Sequence, residues 1–541
     1  MAVADRAGVT SVQQDPRLRI VHNLVADLDK HDIKYCHWKS NEHLLPAVKG
    51  DTDLDILFDQ RQKQKVDKIL TGTGYVKFKP RWYLKYPHIE DYLSIDAVTG
   101  KLVHVHAHFR LVLGEKRIKS YRLPWEHQIL RNRIWDSDCG IFRSDSCHEL
   151  LLLLVRLVLK LPVGPVIPNR AFKSIKEAAD ANQEFHWLKD RVTKSQLQKL
   201  GKSLLGDRSE DALAGLYMKG LDRKRLQKLL IAVKPTIDQC CRYGKFTRLC
   251  VRVARNSTYI AARVNQKLGL FDFPVRRTAI HNGLIITLMG PDGSGKSTQI
   301  KIIKKILSAK IDVLSIYMGS GDGKASLVRL PLILCKKIIK KIRQGDKPTK
   351  KNTPSENTFR GDEGSGQHNG RHHGKFSLTR SIWKILWAVS LSLEKTIKLK
   401  RAARARARGM IVICDRYPQT TIQGFNDGPL LQEYAKSSFK FLRWLARFEI
   451  KCFSNIEKTS PDLAVKLMGD PDVLHLRRPE MNREKIVEKQ EGIRSIRFPY
   501  KTRVQVIDAN LPIEGVTIQI MSTLNYFFFT HHNVSNNNVR N

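Results

Sequence analysis

Two stretches of the sequence carry reactive side chains at spacings with a chemical use. Residues 290–298 read GPDGSGKST, and Gly290, Gly295, Lys296 and Ser297 fit the spacing G-x-x-x-x-G-K-[ST]. Glycines at these positions let backbone N–H groups turn toward phosphate oxygens, and a helix starting there adds positive potential. Gly290, Pro291, Asp292, Gly293, Ser294, Gly295, Lys296, Ser297 and Thr298 are therefore read as a triphosphate cradle, with Lys296 reaching the β- and γ-phosphates and Ser297 holding Mg²⁺. The second stretch is Asp53-Leu54-Asp55-Ile56. On a strand both carboxylates share one face, and their repulsion makes Mg²⁺ with a nucleotide the usual occupant. His104, His106 and His108 also share one strand face, which is read as exposed and histidine-rich with some capacity for metal.

The elements that must position these groups follow from apolar patterning. Leu284–Met289 is long enough for a buried strand, and Ile300, Ile303, Ile306 and Leu307 then recur at helical spacing. Ile311–Met318 reads as the next strand, and Met410–Cys414 as another that ends at Asp415. A carboxylate at the carboxyl end of a parallel strand is placed to serve Mg²⁺. Residues 17–31 form an amphipathic helix, with Leu18, Val21, Leu24, Val25 and Leu28 on one face. From about 145 the pattern turns helical: Leu150–Leu161, then 170–193, 194–206, 209–218, 222–234 and 245–267. Arg242, Lys245, Arg248, Arg252 and Arg255 make a basic helical face, read as solvated or open to an anionic partner. Residues 343–376 hold almost no apolar side chains, so they are read as a disordered basic insertion before a helix at Leu378–Lys400. Residues 526–541 are read as a flexible tail, with Tyr526–Phe529 offering a docking element.

The chain has 541 residues, 42% of them hydrophobic, and a formal charge of +43. That length supports several domains. The charge implies an anionic partner: a nucleotide, nucleic acid, a phosphorylated sugar or an anionic membrane surface. The nine cysteines form no C-x-x-C pair, which argues against a zinc ribbon or disulfide framework and for a reducing, cytoplasmic setting. The first fifteen residues lack an apolar core, so no signal peptide is expected, and Leu150–Leu161 is too short to span a bilayer.

Asp415-Arg416-Tyr417, taken with GPDGSGKST, makes residues 281–525 resemble the thymidylate-kinase-like proteins of the nucleoside monophosphate kinase group. Pro461-Asp462-Leu463 is similar to that family's strand leading to the lid, and Ile507-Asp508-Ala509 to its segment beside the donor base. The resemblance implies that Asp292 faces the acceptor, Asp415 serves Mg²⁺ and acceptor, and Arg416 clamps the acceptor phosphate. It also implies that Asp508 and Ala509 adjoin the donor nucleotide, and that a lid arginine reaches the moving phosphoryl group. Arg477, Arg478 and Arg483 are the candidates, with Arg478 chosen. Where the family's base-reading helix carries an acid–arginine pair, this chain has Ser390 and Leu391, which argues against thymidylate as acceptor.

The N-terminal stretch resembles the nucleotidyltransferase superfamily. Lys39-Ser40-Asn41 stands at the family's small-residue turn, and Asp53 and Asp55 match its metal-binding acids. Two positions compete for its third acid, Asp96 and the position held by His106.

The expectation is an α/β chain. A P-loop NTPase parallel sheet with flanking helices at 281–525 follows an α+β nucleotidyltransferase-like domain at 1–145 and a helical middle region at 146–280. The expected activity is ATP- and Mg²⁺-dependent phosphoryl transfer to a nucleoside monophosphate or related small phosphorylated acceptor, with a possible second, nucleotidyl-transferring activity. The competing expectation is a nucleic-acid-binding NTPase or polynucleotide-end kinase with a degenerate N-terminal binding module. The charge favours it, but no nucleic-acid-binding signature accompanies the charge.

Overall fold

The computed structural model describes residues 15–161, 175–268, 272–319, 374–419, 429–457, 460–498 and 501–530. The chain divides into two compact units, one comprising residues 1–280 and 521–541, the other residues 281–520.

The first unit is built on strands β1 (Tyr35–His37), β2 (Leu54–Phe58), β3 (Val76–Pro80), β4 (Ile89–Ile95), β5 (Leu102–His108), β6 (Leu111–Leu113), β7 (Tyr121–Leu123), β8 (Ile134–Asp136), β9 (Ile141–Arg143) and β10 (Arg277–Ala279). Eight of them form one mixed sheet in the order β10-β3-β4-β5-β2-β1-β9-β8. β2 runs parallel to β5, which places Asp55 opposite His106. β4 runs antiparallel to β5, which places Asp91 opposite the same histidine. The helix Arg19–Lys30 covers the sheet by burying Val21, Leu24, Val25 and Leu28, the stripe its periodicity demands.

The helical region shares a core with the sheet. Helix Ser146–Val158, capped by the Asp145 carboxylate, buries a nearly continuous run of leucines. These pack with Trp38, Leu57 and Leu111 of the strand region and with Leu197, Leu213 and Leu229 of the helices that follow. Residues 146–280 therefore belong to the same unit as residues 15–145. Residues 162–174, which include the start of the helical stretch expected at 170–193, lie outside the described residues.

Helix Lys245–Leu268 differs from its sequence expectation. Its arginines turn onto the unit itself: Arg248 donates to the Tyr121 hydroxyl at 2.9 Å, Arg252 pairs with Glu115, and Arg255 donates to the Arg117 carbonyl at 2.6 Å. The opposite stripe, Phe246, Leu249, Val253, Ile260 and Val264, is the exposed one. Long cationic side chains close to phenol, carboxylate and carbonyl acceptors give more than they would in water.

The start of the tail, where a docking element is expected at Tyr526–Phe529, is structured, and residues 531–541 lie outside the described residues. Asn525–Thr530 continues the helix Ile513–Leu524 as a π-turn. Phe528 is buried, with its ring 6.2 Å from that of Phe78. An aromatic side chain with a core position to fill overrides the polar residues after it, so residues 526–530 are structured. Residues 374–376, read as the end of the insertion, likewise form the first turn of helix Gly374–Ala407. The rest of that insertion lies outside the described residues.

The second unit contains β11 (Leu284–Met289), β12 (Val313–Tyr317), β13 (Ile411–Asp415), β14 (Leu463–Met468) and β15 (Arg503–Asp508). They form a fully parallel sheet in the order β12-β13-β11-β14-β15. β11 and β14 are buried along their whole length, as central parallel strands covered on both faces require. At their amino ends the Asp462 carboxylate accepts from the Ile285 amide at 2.8 Å and from Arg406 at 2.6 Å. The acid of Pro461-Asp462-Leu463 thus fastens strand entry, at the end of the sheet away from the phosphate loop. Among the described residues no helix is long and apolar enough to cross a membrane.

Candidate functional site

The second unit gathers its polar side chains at the carboxyl ends of its strands. β11 ends at Met289, and the loop that follows turns through Gly293 and Gly295, both with positive φ, into helix Lys296–Ser308. At Gly290 a Cβ would lie 2.7 Å from the Leu467 carbonyl oxygen, so the loop sits against β14 with no room for a side chain. A glycine-rich loop that turns into a helix N-terminus is the arrangement that binds phosphate.

Lys296 is buried, and its ammonium donates to the Pro291 carbonyl at 2.7 Å. Burial pushes its pKa down to about 8. The ammonium is held by its own loop, in reach of an anion entering the cradle. The Ser297 hydroxyl lies 3.3 Å from the Asp415 carboxylate at the end of β13. An oxygen pair of this kind suits Mg²⁺, which takes hard oxygen ligands and keeps several waters.

Arg416 follows Asp415 with φ of 64°, a left-handed conformation costly for a residue bearing Cβ. Its amide donates to the Leu288 carbonyl at 3.2 Å, and its guanidinium lies 3.7 Å from Asp292. The strained turn points Arg416 back toward the loop rather than along the strand. Asp292 also pairs with Lys489 of helix Arg483–Ser495. Burial acts to raise its pKa, but the Lys489 bond and the charges of Lys489, Lys296 and Arg416 hold it below the usual range. Lys489 is a site residue the sequence reading missed, because nothing in its local spacing announces it.

The three lid arginines separate. Arg478 places its aliphatic stem beside Gly293, where a Cβ would meet its Cγ at 3.5 Å, and its guanidinium pairs with exposed Glu480 at 3.1 Å. Arg477 donates to the Ala509 carbonyl at 2.7 Å and so fixes the Ile507-Asp508-Ala509 segment. Arg483 pairs with Asp472 on the surface. Asp508 accepts from the Asn510 amide at 2.8 Å, and Ala509 is buried at the end of β15. The Ser390 hydroxyl turns back onto its own helix, donating to the Leu386 carbonyl at 2.6 Å, and Leu391 is buried.

The first unit holds a separate polar cluster. Asp55 Oδ1 lies 2.9 Å from Lys39 Nζ, 2.9 Å from His106 Nδ1 and 3.5 Å from His108 Nε2. Asp53 lies 3.0 Å from His104, whose other nitrogen is 2.9 Å from Asp91. The protein's own cationic and imidazole groups thus neutralise the repulsion between Asp53 and Asp55. That repulsion alone is no argument for Mg²⁺. Burial acts to raise the Asp55 pKa, but Lys39 and the bonds from His106 and His108 hold it well below the carboxylate range. Lys119 is driven down to about 7 by burial and by the Lys39 charge.

Asp96 is not part of this cluster. Its carboxylate accepts from the Ile20 amide at 3.2 Å and from the Thr99 amide and hydroxyl at 2.9 and 2.8 Å, closing the turn after β4. The third acid at the cluster is Asp91, within β4, which also pairs with Arg277 at 3.0 Å. Only the register of β4 against β5 brings Asp91 there. The histidine face read as exposed is buried at His104 and His108. Ser40, at the expected small-residue turn, adopts φ of 55°, the conformation for which a glycine would be favoured.

Fold and site together define an α/β chain with a phosphate-loop unit. No protein-family model matches the chain. Among curated proteins it is similar to YghR of Escherichia coli strain K12, an uncharacterised ATP-binding protein. The two are 23% identical over 238 residues, which is 43% of this chain and 84% of YghR. It is also similar to YghS, another uncharacterised ATP-binding protein of that strain, at 24% identity over 38% of this chain and 77% of YghS. Among solved structures, thymidylate kinase from Candida albicans overlaps 47% of this chain and 93% of its own, at 16% identity and a TM-score of 0.25.

Proposed function

We propose that the second unit transfers the γ-phosphoryl group of ATP to a nucleoside monophosphate or a related small phosphorylated acceptor, in the manner of thymidylate-kinase-like enzymes. The observation that carries this is the meeting of Lys296, the Ser297–Asp415 pair and Arg416 at the carboxyl ends of β11 and β13. The names of YghR and YghS as ATP-binding proteins support the donor.

In this reading the loop amides and Lys296 bind the donor phosphates and offset charge that builds on the phosphoryl group in flight. Ser297 and Asp415 would hold Mg²⁺, which would supply further neutralisation of phosphate charge. Arg416, aimed at the loop by its left-handed backbone and steadied by Asp292, orients the acceptor phosphate. An acceptor oxygen forms the new bond to phosphorus as the bond to the departing ADP oxygen breaks. Arg478, beside Gly293, reaches the reacting group by exchanging Glu480 for phosphate. With Ser390 bonded to its own helix, the position that reads thymine in the resembled family has no free polar group, so the acceptor is not specifically thymidylate.

For the first unit the same reading is a nucleotidyltransferase-like fold whose acids are engaged by histidine, lysine and arginine, a binding module rather than a second transferase.

Purified protein with γ-³²P-ATP, offered nucleoside monophosphates, sugar phosphates and oligonucleotides in turn, tests the assignment. Label transfer to a small phosphorylated acceptor that vanishes in Lys296→Ala supports it. Transfer only to oligonucleotide ends would replace it with the nucleic-acid kinase.

A further inference from the structure

We propose that Asp55, His106 and His108 of the first unit form a binding site for a divalent transition-metal ion of the zinc type, with one coordination position open. Three donor atoms converge there. His106 Nδ1 lies 2.9 Å from Asp55 Oδ1, His108 Nε2 lies 3.5 Å from the same oxygen, and the two ring nitrogens lie 3.1 Å from each other. Bonds of about 2.0–2.1 Å to zinc place neighbouring ligand atoms roughly 3.3 Å apart in a tetrahedron. The observed triangle is already of that size.

Hydrogen bonding satisfies this triangle only if one ring N–H is shared, His106 Nδ1–H between Asp55 Oδ1 and His108 Nε2, and the His108 proton then falls on Nδ1, which is buried without a partner among the described residues. If both ring nitrogens carry protons toward Oδ1, the two N–H groups crowd each other across 3.1 Å. A cation in front of the three atoms removes the conflict, because all three then present lone pairs to one positive centre. Lys39 Nζ, 2.9 Å from Asp55 Oδ1, is the protein's own partial answer.

Strand register and packing hold the ligand set in place. The donors come from neighbouring strands in fixed register, Asp55 on β2 against His106 on β5, with His108 two residues on and pointing to the same face. His106 turns its other nitrogen toward Asp91, whose carboxylate is 4.0 Å away and is fastened by His104 and Arg277. At that distance Asp91 acts on His106 through its charge rather than through a hydrogen bond. His108 packs edge-on to Trp38 with ring centroids 5.0 Å apart. Its Nδ1 is buried with no hydrogen-bond partner among the described residues.

The donor set selects the ion class. Two imidazoles and one carboxylate suit zinc, iron, nickel or copper, whereas Mg²⁺ demands oxygen ligands. Asp53, the other acid of the sequence pair, is with His104 and is not a member. This site and the phosphate loop are independent, and either assignment can fail without the other.

The test uses the full-length chain stripped with chelator and titrated with Zn²⁺ in the presence of millimolar Mg²⁺. Calorimetry should show one tight site per chain, and Co²⁺ in place of Zn²⁺ should give visible absorption of a low-coordinate, nitrogen-bound ion. His106→Ala and His108→Asn should each weaken the site by more than the roughly 10–100-fold expected from losing an outer partner. Asp91→Asn should fall within that smaller range. Lys39→Met should tighten binding, since it removes a competing ammonium; damage to folding cannot imitate a gain. Absence of a stoichiometric site, displacement by Mg²⁺, or affinity indifferent to both histidine changes and to Lys39→Met would each overturn the proposal.

Discussion

The Ser297 hydroxyl, in the first turn of helix Lys296–Ser308, and the Asp415 carboxylate, at the end of β13, are 118 residues apart in sequence and stand 3.3 Å apart. Parallel pairing of β11 and β13 puts Leu288 beside Asp415, and the loop through Gly293 and Gly295 then returns Ser297, in the first turn of its helix, to the same strand end. On the proposed function, Asp415→Asn should lower phosphoryl transfer by about 10²–10³-fold, the scale of losing one charge-stabilising group. ATP binding measured without Mg²⁺ should stay at the wild-type level. Equal loss of binding with and without Mg²⁺ would remove Asp415 from the ion site.

Lys296 should impose a pH dependence on nucleotide affinity. Burial pushes its pKa down to about 8, so in the free protein the ammonium is charged below that pH and neutral above it. ATP binding that needs the charge is full at pH 7 and falls as pH rises through about 8, by up to about tenfold per unit. Calorimetry at pH 7 and pH 9 reads this directly. Lys296→Met should bind weakly at both values and lose the slope.

Gly290 should be intolerant even of alanine. The added Cβ would meet the Leu467 carbonyl oxygen at 2.7 Å, and backbone of a central strand cannot retreat cheaply. Gly290→Ala should cost about 1–3 kcal/mol of stability, the scale of overpacking, and lower the melting temperature. A wild-type melting curve would mean that the loop is not seated against β14.

Asp462 separates a structural acid from a functional one. Asp462→Ala leaves the Ile285 amide and Arg406 without their acceptor at the amino ends of the strands. The expected cost is about 1–3 kcal/mol in denaturant unfolding. The affinity for ATP in the folded protein should be unchanged, because the phosphate loop lies at the opposite end of the sheet.

What the sequence made legible divides by range. The phosphate loop, the strand before it and the helix after it are contiguous, so local spacing sufficed to place Gly290–Ser297. Asp415 was legible because four apolar residues before it mark a buried strand with an acid at its end. Asp91 and Lys489 were not. Asp91 enters its cluster only through the register of β4 on β5, and Asp96, five residues on, had equally good local credentials but closes a turn. Lys489 reaches Asp292 across 197 residues of chain by the packing of one helix. The basic helix face at Arg248–Arg255 misled because periodicity identifies the sides of a helix without saying which is turned inward.

The return of the C-terminal residues to the first unit bears on the order in which the chain is made. Phe528 fills a place beside Phe78, and the Ser522 hydroxyl donates to the Ala97 carbonyl. During vectorial synthesis the first unit emerges almost whole, yet it must wait for more than two hundred further residues before that last apolar seam can close. A nascent chain at this stage presents Phe78 to solvent and to chaperones while the second unit is still being translated. Fragments ending near residue 280 inherit the same open seam permanently, so a faithful excision of this unit has to carry residues 521–530 as a second, separately supplied piece.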